Sequence, residues 1–144
     1  MSLRLWLGFL LCALWMNASK AQSEALAERF AQPLTAQLGN PVRGRQIVLD
    51  RQQGFCLLCH SGPFPEERFQ GTLAPRLDAG MLSRSAAEFR ARLIDPRQFN
   101  PETIMPTYFQ SAQGFRVHRQ FEGKTLLQAQ DIEDVVAFLM EMKR

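Results

Sequence analysis

The sequence predicts a mostly helical domain in which irregular segments connect short helices. Three observations support this prediction. Several segments combine helical periodicity with capping residues, a long apolar stripe lies near the C-terminus, and the eight prolines fall between these segments or in their first turns. The alternation of strands and helices that marks a parallel β-sheet is not seen.

The first two predicted helices precede residue 55. Residues 23–30 have the pattern of a short amphipathic helix. Asn40 is a good N-cap and Pro41 suits the first helical position, so a second helix should run from about residue 42 to residue 53. Gly54 is expected to mark its end.

A third helix follows a long irregular stretch, residues 61–80, that contains three prolines. Ser85 and Glu88 have the spacing of a capping box, in which each residue satisfies a backbone N–H of the other. This helix should carry Phe89 and Leu93 inward and end before the next proline.

Residues 97–124 are predicted to be loop, and the last helix should begin near Ala129. Its apolar residues follow helical spacing: Ile132, Val135, Val136, Leu139 and Met140. Charged residues complement the helix dipole, with acids in the first turn and bases in the last: Asp131, Glu133, Asp134, Lys143 and Arg144. We expect Gly44 of the second helix to allow close packing against Val135 and Phe138.

Residues 56–60 read Cys-Leu-Leu-Cys-His, the attachment motif of a c-type haem. Two thiols at this spacing reach the two vinyl groups of one porphyrin and become thioethers, and His60 then lies under the iron as its proximal ligand. A thioredoxin-like redox pair also uses Cys-x-x-Cys and stays open as the alternative for Cys56 and Cys59. A zinc site needs four ligands, and His118 is the only other histidine.

The N-terminus has the features of a secretory signal peptide. Arg4 provides the positive region, residues 5–16 are apolar, and residues 19–21 offer small residues for cleavage. We therefore expect residues 1–21 to be cleaved and residues 22–144 to form one exported, periplasmic domain with no membrane span. An uncleaved anchor is the alternative.

Processing would change the charge balance of the chain. The net charge is +3 for the full sequence, and losing Arg4 and Lys20 would leave it at +1. No arginine-rich stripe alternates with aromatic residues, so no nucleic-acid partner is expected.

Met105 is the expected second axial ligand of the iron. It precedes Pro106, which stiffens the loop and presents the thioether towards the iron from the side opposite His60. Thioether ligation raises the reduction potential of a haem. Met81 and His118 remain alternatives.

The outer contacts of the site are also predicted. The ring nitrogen of His60 that does not bind iron needs an acceptor, and the backbone carbonyl of Pro75 is the candidate. Tyr108 is expected either to hydrogen-bond a haem propionate or to pack in the core.

Four segments resemble the SoxX family of sulfur-oxidation cytochromes. They are residues 56–71, CLLCHSGPFPEERFQG; residues 73–75, LAP; residues 100–106, NPETIMP; and residues 131–139, DIEDVVAFL. The resemblance extends from about Asn40 to the end of the chain.

The resemblance implies an all-α, class I cytochrome c-like fold whose helices and loops wrap one covalent haem c. It implies that Cys56 and Cys59 form the thioethers and that His60 and Met105 are the axial ligands. Such proteins pair with the cytochrome SoxA in the SoxAX complex, an L-cysteine S-thiosulfotransferase that joins thiosulfate to a cysteine of the carrier SoxYZ. SoxX is the electron-transfer subunit, is not catalytic alone, and passes electrons to a soluble cytochrome c.

The sequence leaves two other functions open. One is a generic periplasmic cytochrome c that serves a different oxidase or reductase. The other is a haem enzyme with an open iron position, such as a peroxidase.

For the leading hypothesis, we expect part of residues 61–71 to contact the SoxA-like partner, with the aromatic residues Phe64 and Phe69 in the interface.

Overall fold

The computed structural model describes residues 21, 25, 28–78, 83–111 and 117–142. Residues 21, 25 and 28 are helical, and four α-helices lie wholly within the other described ranges: α1 (Pro41–Leu49), α2 (Cys56–Cys59), α3 (Ala86–Ile94) and α4 (Ala129–Glu141). Two short 3₁₀-helices, Pro96–Gln98 and Arg119–Phe121, complete the described elements. Within these ranges there is no β-strand, which confirms the predicted all-α class.

Several predictions fall outside the described residues. They concern the signal peptide up to residue 20, most of the helix at residues 23–30, Met81, and the basic residues Lys143 and Arg144.

Helix α1 begins as predicted. The Asn40 side-chain oxygen accepts hydrogen bonds from the N–H groups of Val42, at 3.0 Å, and Arg43, at 3.2 Å. Pro41 occupies the first helical position, where its missing N–H costs nothing.

The predicted end of this helix at Gln53 is wrong, because α1 ends at Leu49. The Asp50 carboxylate accepts from the N–H groups of Gln52, at 2.6 Å, and Gln53, at 3.1 Å. An aspartate that bonds the amides two and three residues ahead offers the backbone an alternative to the helix. The chain therefore turns at Asp50, three residues before the predicted end.

Helices α1 and α4 pack against each other through Gly44. A Cβ at this position would collide with the backbone carbonyl of Asp134 and lie 2.9 Å from the Cβ of Phe138. The prediction of close packing is confirmed for Phe138, and the main chain of Asp134 takes the place predicted for Val135.

Helix α3 and the loop after it also follow the prediction. The Ser85 hydroxyl accepts from the Glu88 N–H at 3.2 Å, and the Ser85 N–H donates to the Glu88 carboxylate at 3.0 Å, which completes the capping box. Phe89 and Leu93 are buried. In the described part of residues 97–124 the regular structure is confined to 3₁₀ turns.

The acidic residues of α4 do more than complement its dipole. Asp131 and Asp134 both pair with Arg43 of α1, and Glu133 pairs with Arg90 of α3. All three carboxylates are buried. They therefore join the helices through ion pairs that the sequence pattern did not predict.

At the Asp134 carboxylate, burial and hydrogen bonds shift the pKa in opposite directions. Burial alone would raise its pKa, but the Asn40 N–H at 2.8 Å, the Gln130 amide at 2.9 Å and the Arg43 guanidinium all donate to it. Hydrogen bonds to the charged form outweigh the burial, so the pKa of Asp134 lies below its usual value.

The core lies between α1, α3 and α4. Four residues of the predicted α4 stripe are buried there and Met140 is half-buried, which confirms the stripe: Ile132, Val135, Val136 and Leu139. Leu57 of α2 is buried in the same cluster, so the short helix is anchored to the core through its apolar side.

Candidate functional site

Helix α2 holds the two cysteines of the haem motif on one turn. Cys56 and Cys59 are both free thiols and both half-buried. The buried side chain of Leu57 between them fixes the helix on the core.

His60 follows directly after α2. Its N–H donates to the Cys56 carbonyl at 2.9 Å, and its backbone is extended. The ring Nδ1 lies 2.6 Å from the carbonyl oxygen of Pro75, so Nδ1 donates and Nε2 keeps its lone pair. The predicted contact with Pro75 is therefore confirmed, and it leaves Nε2 as the nitrogen suited to bind a metal.

Main-chain hydrogen bonds fix the loop that carries Pro75. The Gly71 N–H donates to the Leu57 carbonyl at 2.9 Å, and the Ala74 N–H donates to the Cys59 carbonyl at 3.0 Å. A side chain at Gly71 would collide with the Leu58 carbonyl, so glycine permits this close approach. The histidine acceptor is thus held by the same helix that carries the thiols.

Gln70 is a functional contributor that sequence reasoning missed. Its side-chain oxygen accepts from the Gly62 N–H at 2.6 Å, while its amide donates to the carbonyls of Phe64, at 2.8 Å, and Glu67, at 2.9 Å. One amide side chain therefore closes the loop after the motif. No spacing rule would have singled out Gln70, because its partners lie in irregular backbone.

The predicted ligand Met105 lies in an ordered turn. Its N–H donates to the Thr103 hydroxyl at 3.2 Å, and its half-buried side chain packs against the core, whereas its neighbour Ile104 is exposed. Of the alternatives, exposed His118 accepts from the Gln120 N–H at 3.3 Å as a helix cap. Ligation by Met105 stays a prediction.

Tyr108 is buried beside the motif rather than on the surface. It is 3% exposed, and its hydroxyl lies beside the Cys56 thiol. Its backbone N–H donates to the Leu93 carbonyl at 2.9 Å, and its carbonyl accepts from the Leu127 N–H at 2.9 Å. Tyr108 thus connects the methionine loop to α3 and to the haem motif.

The environment of Cys56 bears on the alternative of a redox dithiol. Burial raises the pKa of the Cys56 thiol to about 11 and also raises the pKa of Tyr108. Reactive Cys-x-x-Cys pairs need a lowered thiol pKa, so that the thiolate forms near neutral pH. The site therefore disfavours thiol–disulfide chemistry.

The two aromatic residues of the predicted partner contact differ in exposure. Phe64 is 2% exposed and packs in the core near Phe138, with ring centroids 6.2 Å apart. The placement of Phe64 on a partner surface is therefore wrong. Phe69 is 81% exposed, and its backbone carbonyl accepts from Arg51.

One solved structure decides the family. The crystal structure of SoxXA from P. pantotrophus matches with a TM-score of 0.70 and 33% sequence identity, over 78% of this chain and 88% of the matched chain. The chain belongs to the SoxX family of sulfur-oxidation cytochromes. No protein-family model matches the sequence, and neither does any curated protein.

This membership confirms the predicted cytochrome c-like helical fold. None of the helices in the described ranges has the length and apolar character that crossing a bilayer requires.

The residues present fit a covalent haem. Two free thiols lie one helical turn apart, the imidazole that follows has Nδ1 engaged and Nε2 available, and a thioether lies in a turn beside the core. This donor set matches the thioether, imidazole and methionine chemistry of a six-coordinate haem.

Proposed function

We propose that this chain is a periplasmic monohaem c-type cytochrome, the electron-transfer subunit of a SoxAX complex. The observation that carries the proposal is the pair Cys56 and Cys59 on α2 with His60 directly after it, its ring oriented by the Pro75 carbonyl, in a chain of the SoxX family. The haem supplies reversible one-electron transfer when it is bound.

Each residue of the site has a definite role in this proposal. Cys56 and Cys59 would hold the porphyrin through thioethers, and His60 Nε2 and the Met105 sulfur would ligate its iron. The bond from Nδ1 to Pro75 fixes the ring plane and makes the imidazole a better donor. Methionine ligation raises the reduction potential, which suits an electron acceptor.

The complex gives the electrons a source. Oxidative coupling of thiosulfate to a SoxYZ cysteine joins two sulfur atoms and releases two electrons. In our proposal the SoxA-like subunit carries that chemistry as an L-cysteine S-thiosulfotransferase. This chain accepts the electrons one at a time and passes each to a soluble cytochrome c.

The first experiment tests the haem and its ligands. The full chain is exported from a host with cytochrome c maturation, and its intact mass and near-infrared spectrum are recorded. We expect the mass of one haem and the weak band of a sulfur–iron(III) bond, and loss of that band in Met105→Ala. A protein without haem would refute the proposal, and an unchanged band in the variant would refute the ligand assignment.

The partner surface is proposed at three exposed side chains: Leu58 on α2, and Phe69 and Leu73 on the loop beside it. The loop that carries Phe69 and Leu73 is held to α2 by the Gly71 and Ala74 hydrogen bonds, so these side chains lie close to the haem motif. An apolar patch next to the redox centre suits a partner that must approach it closely.

Substitution at Phe69 tests this surface. Phe69→Asp should abolish co-purification with the SoxA-like subunit while the haem content stays at the wild-type level. Leu38→Asp is the matched control, because Leu38 is equally exposed but precedes α1. Wild-type capture of the partner by the Phe69 variant would place the interface elsewhere, and capture of a different cytochrome partner would favour a generic electron carrier.

A further inference from the structure

The residue before the haem motif has a strained backbone. Phe55 has φ +57° and ψ +3°, and among the described residues it is the only non-glycine with positive φ. This left-handed conformation is uncommon for any residue with a side chain and rarer still for a bulky one. Such outliers persist only where the surrounding structure holds them in place.

The neighbouring glycine explains why the strain falls on a phenylalanine. A Cβ at Gly54 would collide with the Ile47 carbonyl oxygen and lie 2.9 Å from the Ile47 carbonyl carbon. Gly54 is therefore needed for the close approach to α1. The left-handed position that usually ends a helical turn then falls one residue later, on Phe55.

Backbone hydrogen bonds hold Phe55 on both sides. The Asp50 carbonyl accepts from the N–H groups of Gly54 and Phe55, both at 3.1 Å. The Phe55 carbonyl accepts from the Leu58 N–H at 3.1 Å, which starts α2. The turn before the motif and the helix that carries it are thus joined at this one residue.

A ring contact holds the Phe55 side chain. The Phe121 ring meets it edge to face, with centroids 6.3 Å apart and an interplanar angle of 75°. This is a favourable geometry for two aromatic rings. Phe121 belongs to the 3₁₀-helix Arg119–Phe121, so a distant part of the chain stabilises the strained position.

The position of the first thiol depends on this turn. The Cys56 thiol donates to the Gly54 carbonyl at 3.3 Å, a contact that spans Phe55. Moving Phe55 to an extended or right-handed conformation would turn that carbonyl away from the thiol and change the direction in which α2 begins. Cys59 lies a full turn further on and is also anchored through the Ala74 bond.

We propose that Phe55 is the positioning residue for the first thioether: its left-handed backbone, held by Asp50 and Phe121, places the Cys56 thiol where it can reach its vinyl group. The inference rests on the proposed haem attachment. In that reaction the S–H bond adds across a vinyl C=C bond, with sulfur on the inner carbon and hydrogen on the outer carbon, and no net oxidant or reductant is consumed.

Two substitutions of similar size test the backbone conformation. Asparagine tolerates positive φ, whereas β-branched valine strongly resists it, and both lose the aromatic ring. The full chain, Phe55→Asn and Phe55→Val are exported from a maturation-competent host. The readouts are the intact mass and the α-band of the pyridine haemochrome, which moves to longer wavelength when one vinyl group stays unreacted.

We expect two thioethers in the wild type and in Phe55→Asn. In Phe55→Val the fraction with two thioethers should fall several-fold, and the remaining haem should be attached through one thioether. Phe121→Leu removes the ring contact without changing residue 55 and should show the same defect in milder form. Phe55→Gly, which adopts positive φ freely, should match Phe55→Asn.

The outcomes separate this inference from the proposed function. Wild-type fractions of two-thioether haem in both Phe55→Val and Phe55→Asn would overturn the inference and leave the proposed function standing. An equal loss in both variants would also overturn it, because the defect would then come from the missing aromatic ring and not from the backbone conformation. A wild-type protein without haem would refute both the proposed function and the inference.

Discussion

The buried ion pair between Arg90 and Glu133 provides the sharpest test of how this fold is held together. Both side chains are 5% exposed, and two hydrogen bonds join them, at 2.7 Å from Nε and 2.8 Å from Nη2. The pair also ties down the chain before α1. Arg90 donates to the Phe30 carbonyl at 2.6 Å, and Glu133 accepts from the Leu34 N–H at 2.9 Å.

The structure predicts a large cost for each of the two single substitutions. Removing one partner of a buried pair leaves an uncompensated charge and costs about 3–5 kcal/mol of unfolding free energy. The cost of Glu133→Leu should lie at or above the upper end of this range, because the variant also leaves the Leu34 N–H without its acceptor, a loss of about 1–3 kcal/mol. Arg90→Met should cost a comparable amount, because it leaves the Glu133 carboxylate without its counter-charge and the Phe30 carbonyl without its donor.

The double variant Arg90→Met/Glu133→Leu separates the cost of an unpaired buried charge from the cost of the other lost contacts. It removes both charges together, so its destabilisation should be smaller than the sum of the single values by more than about 2 kcal/mol. Urea unfolding of the haem-loaded protein, followed by circular dichroism and haem absorbance, measures all three variants. The exposed pair Arg45–Glu66 is the control, and Arg45→Met should cost less than about 1 kcal/mol.

Additive values for the double variant, or single variants within about 1 kcal/mol of the wild type, would contradict this account. Either result would mean that the two charges are solvated in a way that the structure does not show.

Three further predictions follow from other contacts. Gly44→Ala should destabilise the fold by about 1–3 kcal/mol despite the better helix propensity of alanine, while Gln46→Ala on the exposed face of α1 should be neutral or slightly stabilising in thermal unfolding. The folded-state pKa of Asp134 lies below its ordinary value of 3.8, so its ionised carboxylate stabilises the fold above pH 3.8. This stabilisation is lost as the pH falls through the folded-state pKa. Asp134→Asn should therefore make the free energy of unfolding less dependent on pH in the acid range. In haem-free folded protein, iodoacetamide should alkylate Cys56 far more slowly at pH 8 than after unfolding, since its pKa is about 11, and equal rates would contradict the burial of the thiol.

Local rules predicted those parts of the fold that depend on neighbouring residues. The N-cap of α1, the capping box of α3 and the apolar stripe of α4 each depend on residues within one or two turns, and all three are confirmed. The haem motif is equally local, because its chemistry depends on the spacing of three residues.

Contacts between distant residues could not be predicted in the same way. Glu133 looked like an acid in the first turn of a helix, and its partner Arg90 lies 43 residues away. Phe64 and Phe69 looked alike in the sequence, but only the fold shows that Phe64 is buried and Phe69 is exposed. Side-chain periodicity gives no information in the irregular loop where both lie.

The end of α1 shows a third kind of difficulty. Gly54 does not end the helix, which stops at Leu49, and residue 54 is a glycine because of its close packing on Ile47 rather than because of a left-handed backbone. The left-handed residue is Phe55, which no propensity scale would assign to that position. A conflict between local preference and observed conformation is expected at functional sites, and this one lies next to the haem motif.

The arrangement separates the ion pairs that hold the helices together from the residues that form the site. Arg43 and Arg90 join α1 and α3 to the buried acids of α4, while α2 and the Gln70 loop hold the thiols and the histidine through main-chain bonds. Breaking an ion pair should therefore lower the unfolding free energy and leave the haem spectrum of the folded protein unchanged. A change of backbone conformation at Phe55, in the turn before α2, should instead alter the haem attachment, because that residue determines where the Cys56 thiol lies.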